Sequence, residues 1–243
     1  MKRANLILMA ALAAAGLTTF TGALLAPAVA VAAENQKIGA KIAKPLRAAQ
    51  DAIAAKNWDE ASAKLVEAAA VEPKTPYEAF MVDELGWFVM VQKKDYQGAV
   101  DALSRAVASG FYAPEDLPRR YKALAQLNYE LKQYPKTVEY GKKAIELAPA
   151  SDDMKTLVAM SMYLSYDFAG ARTFSEQAIA SMANPSEQLL QINLRSNYEL
   201  NDRAGTKRAL EALLRNFPAQ KYWKDLLNNQ LYETKSDRDL RAL

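Results

Sequence analysis

Apolar positions recur three and four residues apart along nearly the whole chain, and the segments that carry them are separated by breaks at Pro73, Pro76, Gly110, Pro114, Pro118, Pro149 and Pro185. No run alternates apolar and polar residues as a strand would. The spacing predicts paired helices at about 36–56 and 59–72, 77–93 and 96–109, 115–132 and 135–148, 151–166 and 168–182, and 186–200 and 203–216. A last helix is predicted around Tyr222, Trp223, Leu226 and Leu227.

A longer period overlies the helical one. Aromatics stand at Trp58, Tyr96, Tyr134 and Phe168, spaced by 38, 38 and 34 residues. Each is followed three residues later by a small residue (Ala61, Ala99, Thr137, Ala171) and ten residues later by an alanine (Ala68, Ala106, Ala144, Ala178). Thr206 and Leu213 mark a weaker fifth copy. Small residues at those positions let two helices approach closely, with the aromatic filling the space at their turn, so consecutive units stack on one another.

The stretch Tyr121–Pro149 resembles a tetratricopeptide repeat (TPR), through Tyr121, Leu124, Ala125, Tyr134, Thr137, Ala144 and Pro149. It departs at Asn128, where that repeat usually has a tyrosine, and at Gly141, where it usually has a bulky residue. The resemblance extends over about 38–218, and the chain is similar to exported bacterial proteins of this class. It implies an all-α, right-handed α-solenoid of about five helix–turn–helix repeats with a C-terminal capping helix. It also implies that the first helix of each repeat lines a concave face.

On a common repeat frame, Ile53, Val91, Tyr129, Tyr163 and Tyr198 are equivalent, and the three tyrosines lie 34 and 35 residues apart. One turn earlier come Gln50, Phe88, Gln126, Met160 and Arg195, and a further turn back Glu84, Lys122, Thr156 and Gln191. The groove expected for a protein or peptide partner is therefore Glu84, Phe88, Lys122, Gln126, Tyr129, Met160, Tyr163, Gln191, Arg195 and Tyr198. Phenol rings supply contact area at low entropic cost, and the polar members can bond peptide groups. The opposing reading is that the tyrosines simply pack between neighbouring first helices, with their hydroxyls at the surface. The carboxylate clamp of this repeat class uses Lys and Asn, whereas here Lys122 is followed four residues later by Gln126.

Composition narrows the chemistry. The chain has no His and no Cys, which removes imidazole catalysis, thiol nucleophiles, disulfides and His- or Cys-ligated metals. No two of the nine glycines lie two to five residues apart, so dinucleotide and phosphate loops and the nucleophile elbow are absent as well. The acid pairs Asp59-Glu60 and Asp152-Asp153 fit helix starts, where carboxylates favour the helix dipole. The expectation is a protein that is not an enzyme and takes no cofactor. The longest connection, Gly110–Pro118, is read first as a spacer that accounts for the 38-residue period, with a loop of functional use as the alternative.

Residues 4–33 carry no charge and follow Lys2 and Arg3, with small residues near Ala30 and Ala33. This is the pattern of a cleaved signal peptide spanning 1–33, and the rival reading is a retained membrane anchor. Without that segment 29 basic residues face 28 acidic ones, too even a balance for nucleic-acid or anionic-membrane attraction. The pairs Lys93-Lys94, Arg119-Arg120 and Lys142-Lys143 are accordingly expected at solvated helix ends or faces. The solenoid is expected over 34–235. Residues 236–243, with Ser236 and Asp239 placed as a capping box, are expected to start a further helix or a continuation. Localisation is expected to be periplasmic or secreted, without membrane insertion after cleavage. The alternative function is a structural or assembly module of a larger envelope protein or homo-oligomer.

Overall fold

A computed structural model describes residues 36–148 and 152–231, so the expected signal peptide and the 236–243 segment lie outside the described residues. The described residues from Ile38 onward form one compact unit. Its helices are α1 (Ala40–Ala54), α2 (Trp58–Ala69), α3 (Pro76–Gln92), α4 (Tyr96–Ala108), α5 (Leu117–Glu130), α6 (Tyr134–Leu147), α7 (Asp152–Leu164), α8 (Phe168–Ala180), α9 (Glu187–Glu199), α10 (Arg203–Asn216) and α11 (Gln220–Leu231). There is no strand among the described residues. Each helix packs against the next, and the odd-numbered helices of neighbouring pairs also meet, α1 with α3 and α7 with α9. This is the predicted order of helix pairs, with ends shifted by a few residues.

One turn is used five times. At the end of α1 the Lys56 N–H donates to Ile53 O and the Asn57 N–H to Ala52 O, a Schellman ending whose left-handed residue is Lys56 at φ 57°. The same pair of bonds ends α3 at Lys94 and Asp95, α5 at Lys132 and Gln133, α7 at Tyr166 and Asp167, and α9 at Asn201 and Asp202. Glycine is the usual residue at such a position, and here none of the five is glycine. The residue that closes each helix is also the N-cap of the next. Asp95, Asp167 and Asp202 accept the N–H of Gly98, Gly170 and Gly205 at 3.0, 2.9 and 2.8 Å. The first helix thus hands over to the second within three residues.

The small residues of the long period form the contact between paired helices. Ala61, Ala68, Ala99, Ala106, Thr137, Ala171, Thr206 and Leu213 are all essentially sealed from solvent, and Ala144 and Ala178 nearly so. The aromatics of the same period stay half-buried and pack on rings of the first helices: Trp58 on Phe88 at 6.0 Å, Tyr134 on Tyr129 at 5.8 Å and Phe168 on Tyr163 at 5.3 Å. Apolar burial is divided into local clusters. Ile42, Leu46 and Leu65 lie in one with Phe80, while Leu190, Leu210 and Leu213 lie in another with Tyr222. The core therefore runs along the stack instead of around a centre.

Gly141, where the repeat usually has a bulky residue, is explained by its neighbours. A Cβ at Gly141 would stand 2.4 Å from Val158 Cγ2 and 3.4 Å from Met154 Sδ, so α6 and α7 meet here too closely for a side chain. Gly86 in α3 is the contrary case, with no atom within 4 Å of such a Cβ. The two should respond oppositely to alanine in urea unfolding. Gly86→Ala should gain about 0.5–1 kcal/mol from helix propensity, while Gly141→Ala should lose about 1–2 kcal/mol to overpacking. Equal shifts of one sign would contradict the packing described.

Glu78 joins the first two repeats. It completes a capping box with Thr75, accepting the Thr75 N–H at 2.7 Å, and its other oxygen accepts the Gly39 N–H at the start of α1 at 2.8 Å. These backbone donors hold its carboxyl below the ordinary 4.5. A carboxyl depressed on folding stabilises the fold above its unfolded pKa, and that contribution is lost as pH falls through the folded value. The stability gap between the wild type and Glu78→Gln should therefore be widest above about pH 4.5 and narrow on acidification. A gap independent of pH would assign Glu78 a role other than this double cap.

Candidate binding groove

The five-fold turn fixes the groove positions. Ile53, Val91, Tyr129, Tyr163 and Tyr198 each lie three residues before a left-handed residue, and each carbonyl accepts that residue's N–H. The backbone of every rung is thereby held in the same geometry. Tyr129 and Tyr163 are half-buried against Tyr134 and Phe168, while Tyr198 is 47% exposed. Burial raises all three phenols above their ordinary pKa, so at neutral pH they are protonated donors. The Tyr163 hydroxyl donates to Glu199 Oε1 at 3.3 Å, which links α7 to the residue next to Tyr198.

An open depression of about 270 Å³ lies beside Tyr129. Its walls include Tyr129 from α5, Asp153, Thr156 and Met160 from α7, and Ser186 and Gln188 at the start of α9. Sequence spacing identified Tyr129, Thr156 and Met160 but missed Asp153, Ser186 and Gln188. Asp153 sits in the first turn of α7, as its pairing with Asp152 predicts. Ser186 is the N-cap of α9, with its Oγ accepting the Leu189 N–H at 3.2 Å. A Pro-Ser-Glu helix start was the available signal, and nothing in it pointed towards a groove. Gln126 and Arg195 are exposed and Lys122 is half-buried on the same helices, and the Arg195 charge acts on the Tyr163 phenol.

The ends of the expected groove are engaged internally. Glu84 accepts from Trp87 Nε1 at 2.8 Å, from Arg120 Nη2 at 2.6 Å and from the Tyr112 hydroxyl. The Arg120 guanidinium lies 4.7 Å from the centre of the Tyr112 ring, a cation–π contact. Arg120 is therefore not at a solvated helix face as the sequence pattern predicted. Its side chain is 16% exposed and neutralises a carboxylate that is 17% exposed. Arg119 beside it does face solvent, paired with Asp116.

The Gly110–Pro118 connection is likewise more than a spacer. Phe111 packs on Tyr77 and Phe80 at 5.3 and 5.5 Å, and Tyr112 packs on Phe80 at 5.0 Å. Phe88 remains 38% exposed between Trp58 and Trp87. At the other end, Gln191 Nε2 donates to the Tyr222 hydroxyl at 2.8 Å and to Glu187 at 3.1 Å, so α11 holds it in place.

No protein-family model matches the sequence, and no curated protein does. Solved structures do match. The crystal structure of YrrB, described as a TPR protein with an unusual peptide-binding site, is similar with a TM-score of 0.54 at 13% identity, over 80% of this chain and 94% of that one. The fold is that of the tetratricopeptide repeat. MamA from Desulfovibrio magneticus is similar at a TM-score of 0.50 and 16% identity, over 82% of this chain and all of that one. A TPR protein from Parabacteroides merdae matches at 0.50 and 14%, over 84% of this chain and 77% of its own. Among the described residues of this TPR-like chain no cluster of acids could hold a metal ion, and no helix is long and apolar enough to cross a membrane.

The Glu84 cluster predicts a double-mutant result. Arg120→Met should destabilise by about 2 kcal/mol, because Glu84 keeps its charge and loses its cation in a partly buried site. Adding Glu84→Gln should recover most of that loss in urea unfolding. Additive losses would show that the pair is not coupled.

Proposed function

We propose that the protein is an exported TPR scaffold that holds a peptide or extended protein segment in the groove of its first helices and performs no catalysis. The observation that carries this reading is the ladder of Tyr129, Tyr163 and Tyr198 at one register, with an open depression beside Tyr129 and with Gln126 and Arg195 exposed and Lys122 half-buried on the same helices. A TPR fold is in general a protein–protein interaction scaffold. A peptide site on YrrB, at the similarity given above, adds weight. Half-buried rings with protonated hydroxyls combine contact area with hydrogen-bond donors, as binding anchors do. Export is supported by Lys2 and Arg3 followed by the uncharged residues 4–33.

A second reading, an assembly module, is favoured by one feature. Trp223 and Leu227 lie four residues apart along α11 and are 60 and 48% exposed, an apolar pair on the last described helix.

The test is selection from a displayed library of random twelve-residue peptides, compared with the Tyr129→Ala/Tyr163→Ala/Tyr198→Ala variant. The expected result is a set of peptides that bind the normal chain and lose about tenfold or more on the variant, with helicity by circular dichroism unchanged. Peptides that bind both proteins equally would sink the groove reading. Self-association abolished by Trp223→Lys, with no ladder-dependent peptide, would establish the assembly reading in its place.

A further inference from the structure

We infer that the depression beside Tyr129 takes an arginine side chain of the bound segment, its guanidinium against the Asp153 carboxylate and the Tyr129 ring; this rests on the groove reading above. Charge comes first. Among the described residues of the wall Asp153 alone is ionised at neutral pH, and it is exposed at the start of α7. The bases of the flanking helices stand outside the wall: Lys122 on α5, Lys155 on α7 and Arg195 on α9. Lys155 donates instead to Ser181 Oγ at 3.1 Å, and the Arg195 charge acts on the Tyr163 phenol. Burial raises the Tyr129 phenol, and so does the Glu130 charge beside it, so the ring also stands in a negative field. The complement to such a wall is a cation.

Hydrogen-bonding polarity points the same way. The Thr156 hydroxyl donates to Asp152 O at 2.9 Å, which leaves its Oγ1 as the acceptor in the 3.5 Å contact with Ser186 Oγ. Ser186 Oγ in turn accepts the Leu189 N–H at 3.2 Å. Both hydroxyl hydrogens are thus engaged within the wall, and what these oxygens offer a guest is lone pairs. Asp153 adds carboxylate oxygens and Gln188 an amide carbonyl. A guanidinium carries five N–H donors and accepts nothing, so it meets several acceptors at once. Met160 and the face of Tyr129 give apolar cover to the methylenes of its stem. The volume fits one side chain: about 270 Å³ is below the range of about 300–1,000 Å³ that small-molecule sites occupy.

The chain itself fills the equivalent place in this manner. Glu84 on α3 has the register of Thr156 on α7, and its Oε1 accepts from Arg120 Nη2 at 2.6 Å while that guanidinium lies 4.7 Å from the centre of the Tyr112 ring. A carboxylate and a phenol ring therefore already seat an arginine on this face. Beside α7 the carboxylate comes from Asp153, one turn before Thr156, and the ring from Tyr129 of the preceding repeat.

The experiment is a nuclear magnetic resonance titration of the ¹⁵N-labelled full chain with Nα-acetyl-L-arginine amide, and with the citrulline analogue that keeps the shape and lacks the charge. The expected result is saturable shifts centred on Asp153, Thr156 and Ser186, with a dissociation constant on the order of 1 mM for so small a ligand. The citrulline compound should bind about fivefold more weakly, and Asp153→Asn should weaken the arginine compound by about the same factor. Asp153 is exposed, so circular dichroism should find that variant as helical as the normal chain. Absence of saturation, equal binding of the two compounds, or affinity unchanged by Asp153→Asn overturns the inference. The displayed library separates it from the groove reading. Ladder-dependent peptides that bind Asp153→Asn as tightly as the normal chain keep the groove and remove the arginine site. Arginine amide seated at Asp153, with no ladder-dependent peptide, keeps the site for a basic side chain and removes the groove.

Discussion

Everything in this solenoid depends on a turn that closes one helix and caps the next within three residues. Its two backbone bonds recur at five places, and at each the chain passes through the left-handed region on a residue with a Cβ: Lys56, Lys94, Lys132, Tyr166 and Asn201. A β-carbon there costs about 1 kcal/mol, and the tertiary contacts offset it each time. What the turn secures is phase. Because the same two bonds set the exit of every first helix, Tyr129, Tyr163 and Tyr198 leave their helices in one geometry, as do Ala61, Ala99, Thr137 and Ala171 at the start of every second helix.

Given that phase, packing between helices is a matter of side-chain volume. The small residues of the long period are sealed from solvent between the paired helices, and at Gly141 two neighbouring repeats approach too closely for a side chain, against Val158. The half-buried aromatics at the turns have a second role. Tyr134 and Phe168 support the rings of Tyr129 and Tyr163 from behind, so the ladder is stiffened by the same residues that announce the repeat. Core and candidate site share these residues: Tyr129 and Tyr163 pack on the turn aromatics as the packing reading expects, and the proposed binding role falls on the same rings.

The local features were legible in the sequence for physical reasons. Helix pairs, turn positions and the Ala and Thr contacts follow from spacing within one repeat, and repetition multiplied a weak signal. Asp59-Glu60 and Asp152-Asp153 stand at helix starts as their chemistry requires. Contacts that occur once left no such trace. Arg120 looked like half of a solvated basic pair because its partner Glu84 is 36 residues away and Tyr112 reaches that carboxylate from a loop. Gly39 meets Glu78 across 39 residues, and Ser186 and Gln188 enter the groove wall only through the offset between α7 and α9. A periodic reading finds what every repeat does and is blind to what one repeat does alone.

The Phe111-Tyr112 connection shows what such an exception does. The long repeats, spaced by 38 residues, and the short ones, spaced by 34 and 35, give two different surfaces. Where the chain is longer, it bends back and occupies the space beside α3 with its own phenol and a guanidinium from α5, as a tethered ligand would. Where it is shorter, the α8–α9 connection brings only the Ser186 hydroxyl to the equivalent residue, Thr156, at 3.5 Å, and the depression there is open. The longer connection thus fills with its own aromatic side chains a space beside α3 that the shorter one leaves largely open beside α7, so loop length, and not only the residues of the helices, shapes this face.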